Sequence, residues 1–151
     1  MESRVSTTID RPPATVFAWL ADLEQLPRWE SSFAEVRRES PGPVGVGARY
    51  WCRRTQPTKT ETHMVVTAYE PEQRLMIQSE WAGFIKPAFG YEVEPAGEGT
   101  RVTLIGRPRL RGVGLLMLPM IALLANRLSA RYLANLKRLV EGGAPDRPAT
   151  A

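Results

Sequence analysis

The chain has one cysteine and one histidine among its 151 residues. Cys52 alone cannot form an internal disulfide, and a lone thiol suits a reducing cytoplasm, the compartment expected here. One histidine and one cysteine cannot assemble a metal centre either, because that requires several such ligands in register. No glycine-rich loop leads from a strand into a helix to cradle phosphate, so no cofactor is expected; GPVGVG reads as a turn between strands. Long hydrophobic runs are also missing. The longest uncharged apolar stretch spans residues 112–126, contains Pro119 and stops at Arg127, whereas a membrane span needs about 20 apolar residues. The N-terminal MESRVSTTID lacks the apolar core of a signal peptide, so export is not expected.

Charge of one sign is scarce as well. Lys+Arg 20 against Asp+Glu 16 leaves a net charge of +4. The charges are scattered rather than collected in a block, and no zinc-finger, helix-turn-helix or RNP pattern is present, which argues against nucleic acid as a partner. The length suits one domain with a substantial core, read here as residues 1–142. The small, polar, proline-bearing end of the chain, residues 143–151, reads as a disordered tail.

What the sequence does have is alternation. Val5, Thr7 and Ile9 alternate with Arg4, Ser6 and Thr8, the period of a strand with one buried face. Asp10 is placed to cap a helix opening at Pro12 and Pro13, with Val16, Phe17, Leu20 and Ala21 as its apolar stripe. LEQLPRW reads as a second short helix interrupted by Pro27. From Ala48 to Leu110 strand follows strand. Leu75, Ile77 and Trp81 share a face, as do Phe89, Tyr91 and Val93, Val102 and Leu104, and Met64, Val66 and Ala68. In ARYWCRR, Tyr50 and Cys52 point inward, although Trp51 on the other face blurs the pattern. Such alternation marks an antiparallel sheet with one wet face.

The end of the chain is helical. Leu118, Ile121, Ala122, Ala125, Leu128, Ser129, Tyr132, Leu136, Leu139 and Val140 fall on one face at helical spacing, with Arg127, Arg131, Lys137 and Arg138 opposite. This is the only stripe long enough to cover the apolar sheet face. Leu116, Leu123 and Leu124 lie off the stripe. Three surfaces would satisfy them: the rest of the chain, a second copy in a homodimer, or a membrane met together with Arg107, Arg109 and Arg111.

Five segments in this order carry a resemblance: IDRPPATVFAWLADLEQLPRW, GPVGVGARY, AYEPEQRL, EGTRVTL and LANLKRLVEG. The chain resembles the polyketide cyclase/dehydrase group of the START-like (Bet v 1-like, helix-grip) superfamily from about Ser3 to Gly142. The resemblance implies an α+β helix-grip fold. A curved seven-stranded antiparallel sheet would wrap a long C-terminal helix, two short helices would follow the first strand, and a cavity would lie between sheet and helix. It implies a hydrophobic small-molecule ligand and brings no shared catalytic motif, because one scaffold serves binders, lipid carriers and enzymes.

The inward residues nominate a ligand-binding set: Tyr50, Ile77, Trp81, Phe89, Tyr91, Leu104, Leu128 and Tyr132. The aromatics among them could equally be core filler. Trp29 and Phe33 either brace the helix or stand near the cavity mouth. His63 falls on the wet face, Cys52 reads as a buried inert thiol, and every clear strand turns its charges outward, so no strong acid–base centre and no catalytic residue are expected. The leading expectation is binding of an apolar or aromatic, lipid- or polyketide-like molecule without catalysis. The alternatives are a cyclase/dehydratase acting on a polyketide-like substrate, which an inward histidine or carboxylate would favour, and a lipid-handling or interaction module.

Overall fold

The structure, a computed structural model, describes residues 2–55 and 59–142; the tail expected at 143–151 lies outside the described residues. Strand β1 (Ser3–Ile9) leads into helix α1 (Pro13–Ala21) and a short 3₁₀ helix, Leu23–Arg28. Then come β2 (Phe33–Arg38), β3 (Arg49–Arg54), β4 (Thr60–Glu70), β5 (Arg74–Ser79), β6 (Ile85–Lys86), β7 (Ala88–Ala96), β8 (Gly99–Gly106) and β9 (Arg109–Leu110). A short helix α2 (Val113–Leu116) precedes the long helix α3 (Leu118–Gly142). Seven strands form one antiparallel sheet in the order β1-β8-β7-β5-β4-β3-β2, while β6 and β9 pair separately. This is the expected helix-grip architecture. Among the described residues no helix is long and apolar enough to cross a membrane.

Alternation sorts most faces as the sequence implies; an exception is the end of β4, where a bulge after Val66 packs Tyr69, not the expected Ala68, against the core. Cross-strand partners such as Tyr50 and Met64, Val66 and Ile77, Ile77 and Phe89, and Tyr91 and Leu104 share the inner face. All of these are buried. Register shifts between Phe33 and Glu35 and between Val66 and Ala68 mark bulges, which bend a sheet and help it curl around a helix.

Asp10 does not cap α1. Pro12 occupies that position without a side-chain cap, and the proline's fixed backbone angle starts the helix instead. The Asp10 N–H donates to Glu141 Oε2 at 2.6 Å. Lys137 pairs with the same carboxylate at 2.7 Å and donates to the Thr8 carbonyl at 2.6 Å, while Arg11 donates to the Glu141 carbonyl. These contacts fasten the C-terminal end of α3 across β1, and Tyr132, Leu133, Leu136 and Val140 are buried beneath it. The N-terminal half is different. Leu123 and Leu124 there, and Leu116 at the end of α2, are 57%, 52% and 84% exposed, so no other part of the described chain covers them.

Candidate functional site

Where the N-terminal half of α3 stands off the sheet, a cavity of about 520 Å³ opens between it, the Phe84–Phe89 segment and the end of β8. That volume lies within the range of small-molecule sites, roughly 300–1,000 Å³. One wall is helical: Met120, Ile121, Leu124, Ala125 and Leu128. Phe84, Ile85 and Phe89 face it from the sheet side. Gly114 sets the position of Phe84, since a β-carbon there would stand 2.5 Å from the Phe84 ring. At the Tyr132 end the lining turns polar, with Ser129, Ser32, Glu30 and Arg54. From Met120 to Tyr132 the helix rises roughly 18 Å, at about 1.5 Å per residue. The result is a long apolar slot with a polar end.

Of the nominated residues, Phe89, Leu128 and Tyr132 line this cavity. Tyr50, Ile77 and Leu104 do not; they are at most 4% exposed and belong to the packed core. The same parity that turns them inward seats them where sheet and helix meet closely. Tyr91 is likewise fully buried, behind two residues of the cavity wall: its hydroxyl donates to Glu30 Oε1 at 3.3 Å and its ring meets Phe89 edge to face at 6.1 Å. Trp81 is misplaced by the strand pattern. Strand β5 ends at Ser79, so Trp81 lies beyond the pleat, half-buried in the following loop with the Arg111 guanidinium 4.3 Å from its ring centre. Trp29 and Phe33 are both buried: Trp29 packs on Tyr91 with ring centres 5.7 Å apart, and Phe33 on Phe89 at 5.9 Å. His63 does face outward, between Glu39 and Glu80. Cys52 is buried, and desolvation pushes its thiol up to about 11 against the opposing pull of Arg54, so it is a poor nucleophile.

Sequence parity misses two inward charges. Glu30 and Arg54 are each only 6% exposed, and among the described residues they are the only charged groups lining the cavity. Arg54 continues the inward parity of Tyr50 and Cys52, so its signal is present on the strand whose pattern Trp51 blurs. Glu30 lies off the strands, in the turn after the 3₁₀ helix, where no periodicity reports a side chain's direction. Its backbone is held there by its own N–H donating to Leu26 O at 2.8 Å, and Asn135 Nδ2 ties the preceding Trp29 carbonyl to α3 at 3.2 Å.

The electrostatics of this corner follow from burial. The Glu30 carboxyl accepts from Ser32 Oγ at 3.2 Å and from Tyr91 at 3.3 Å. Desolvation raises its pKa above the ordinary carboxyl value of 4.5, outweighing the opposing effects of Arg54, Ser32 and Tyr91. Burial also raises the Tyr91 and Tyr132 hydroxyls, Tyr91 with added repulsion from Glu30. Arg54 Nη2 donates to Ser79 Oγ at 3.2 Å, and its guanidinium carbon sits 4.3 Å from the Phe33 ring centre, a cation–π contact. Arg54 Nε is buried without a hydrogen-bond partner. Among the described residues no cluster of three or more histidine, cysteine or carboxylate groups could hold a metal ion.

Sequence and structure comparisons agree with this architecture. A family model described as polyketide cyclase / dehydrase and lipid transport matches residues 1–141. The chain belongs to that family. Several solved structures share the fold of this polyketide cyclase/dehydrase chain at low identity. TTHA0849 from Thermus thermophilus is 22% identical with a TM-score of 0.76, over 93% of this chain and 97% of that one. Ara h 8.0201 is 15% identical with a TM-score of 0.72, over 95% and 99%. DynU16, a protein of the dynemicin biosynthetic locus, is 18% identical with a TM-score of 0.68, over 97% of this chain and 49% of that one. No curated protein matches the sequence at a significant level.

Proposed function

We propose that this cyclase/dehydrase-family chain binds an apolar or aromatic, lipid- or polyketide-like small molecule in the cavity between α3 and the sheet. The observation that carries the reading is the slot itself: about 520 Å³, walled by Phe84, Phe89, Ile121, Leu124 and Leu128 and polar only at one end. A site of that composition recognises a ligand by shape and apolar contact and orients it by a few polar groups. The lone thiol of Cys52 suits a reducing compartment, which supports a cytoplasmic setting for this activity. Two measurements test the reading. Native mass spectrometry of the freshly purified protein should find a co-purified apolar molecule, and the neutral dye Nile red should bind with micromolar affinity and a blue-shifted emission. A protein that purifies empty and leaves Nile red unshifted would end it.

A second reading has a specific observation behind it. Glu30 is a carboxyl with a raised pKa on the wall of the cavity, the feature that favours a cyclase/dehydratase acting on a polyketide-like substrate. A protonated carboxyl can give its proton to the hydroxyl expelled from a substrate enolate, leaving an enone, water and the carboxylate, while a neighbouring guanidinium stabilises the enolate's charge. Turnover that Glu30→Gln abolishes while Nile red still binds would select this reading over simple binding.

The exposed Leu116, Leu123 and Leu124 support a third element, delivery of the ligand at a surface. Together with Val113, Leu115 and Met120 they leave an apolar rim in solvent beside the cavity, of the kind that marks an interface. A second copy of the chain or an anionic membrane would cover it.

A further inference from the structure

We infer that the Tyr132 end of the cavity is a carboxylate-recognition site, so that the bound molecule is an apolar body ending in a carboxylate held by Arg54. This rests on the binding reading above and names the ligand class it accepts.

The argument begins with the cost of Arg54. A guanidinium removed from water is unfavourable unless it is paired and its donors are satisfied. Among the described residues Arg54 makes no ion pair, although Glu30 lines the same cavity. The faces of Phe33 and Phe89 stabilise the charge, with their ring centres 4.3 and 6.0 Å from its carbon, but they accept no hydrogen bond. Ser79 takes one bond from Nη2, and Nε has no partner. What is left is a buried cation on the wall of an apolar slot, with no anion paired to it.

Geometry narrows the complement. Arg54 lines the cavity, and a guanidinium matches the two oxygens of a carboxylate better than any other small anion or polar group that an apolar slot would admit. An ammonium is repelled, and a dianionic phosphate would leave its second negative charge unpaired in an apolar slot. Burial raises the pKa of the Glu30 carboxyl, which lessens its opposition to a bound carboxylate. The hydroxyls of Ser32, Ser129 and Tyr132 complete a polar end cap. The apolar remainder of the ligand extends along Leu128, Ala125, Leu124 and Ile121.

The test compares two probes of equal chain length, dodecanoate and dodecanol, in displacing Nile red at mildly alkaline pH. Wild type should bind the acid at least about tenfold more tightly than the alcohol. Arg54→Gln should bring that ratio to about one with alcohol binding unchanged, and Arg54→Lys should keep part of the preference. Circular dichroism checks that each variant folds. The wild-type ratio decides by itself should Arg54→Gln unfold. Equal binding of acid and alcohol by wild type overturns the carboxylate inference and leaves the binding reading intact. Failure of Nile red and both probes overturns the binding reading and this inference with it. A preference for the acid that survives in folded Arg54→Gln moves the recognition to another residue and overturns the assignment to Arg54.

Discussion

In the C-terminal half of α3, Tyr132, Leu133, Leu136 and Val140 are buried, whereas in its N-terminal half Leu118, Met120, Leu123 and Leu124 are exposed. Both halves belong to one helix and both are rich in leucine. The difference lies in what faces them. The C-terminal half is fastened to β1 through Lys137, Glu141 and Arg11, and its apolar face meets the inner sheet directly. The N-terminal half stands across the cavity from Phe84 and Phe89, so its leucines line a wall or a rim instead of filling a core. One helix thus packs a core at one end and lines a cavity at the other.

That division is open to attack at both ends. Leu136→Ala should destabilise the fold by about 2–5 kcal/mol, the usual cost of a buried leucine, whereas Leu123→Ala should change stability by no more than about 0.5 kcal/mol, as exposed positions do. Urea unfolding of the two variants checks this. Similar losses at both positions would mean that the N-terminal half is packed in solution. The next effect falls on the cavity. Ala125→Trp should fill the slot and weaken Nile red at least about tenfold with an unchanged melting midpoint; a variant that binds the dye normally would put the site elsewhere.

Glu30 sharpens the contrast through pH. Its folded pKa is raised above 4.5 by burial, so the folded state holds its proton longer than the unfolded chain does. The stability this contributes is fully present below the unfolded value and is lost as pH rises through the folded one. Glu30→Gln cannot ionise. Relative to wild type it should gain stability as pH climbs from the acid side towards neutrality, with Arg54, Tyr91 and Ser32 unchanged around it. Parallel pH profiles for the two proteins would show that Glu30 does not titrate differently on folding.

At the rim, wild type should either sediment as a dimer or float with anionic vesicles, and the Leu123→Glu, Leu124→Glu double variant should do neither. A monomeric wild type that ignores vesicles would leave the rim without an interface role. The smallest effect belongs to His63. Lying outside between Glu39 and Glu80, it should allow His63→Ala to keep ligand binding within about twofold, as read by the same dye titration.

Much of this was legible in the residues. Period-two alternation determined which sheet face is buried, because a pleated strand turns successive side chains to opposite sides, and the 3.6-residue stripe determined which face of α3 covers it. The five marked segments determined the family and, with it, the helix-grip arrangement. Alternation failed where the pleat stops: it carried Trp81 past the end of β5, and it could say nothing of Glu30 in a turn. It also could not separate core from cavity wall. Tyr50 and Phe89 have the same inward parity, but only the distance between helix and sheet decides that one is packed and the other faces a void. The same holds for charge. Glu30 and Arg54 are ordinary surface residue types; they become a buried charged corner of the cavity because the fold removes water from around two groups well separated in the chain. Parity is a property of the local backbone, so the sequence carries it. Desolvation is a property of everything packed around a group, so only the tertiary structure decides it.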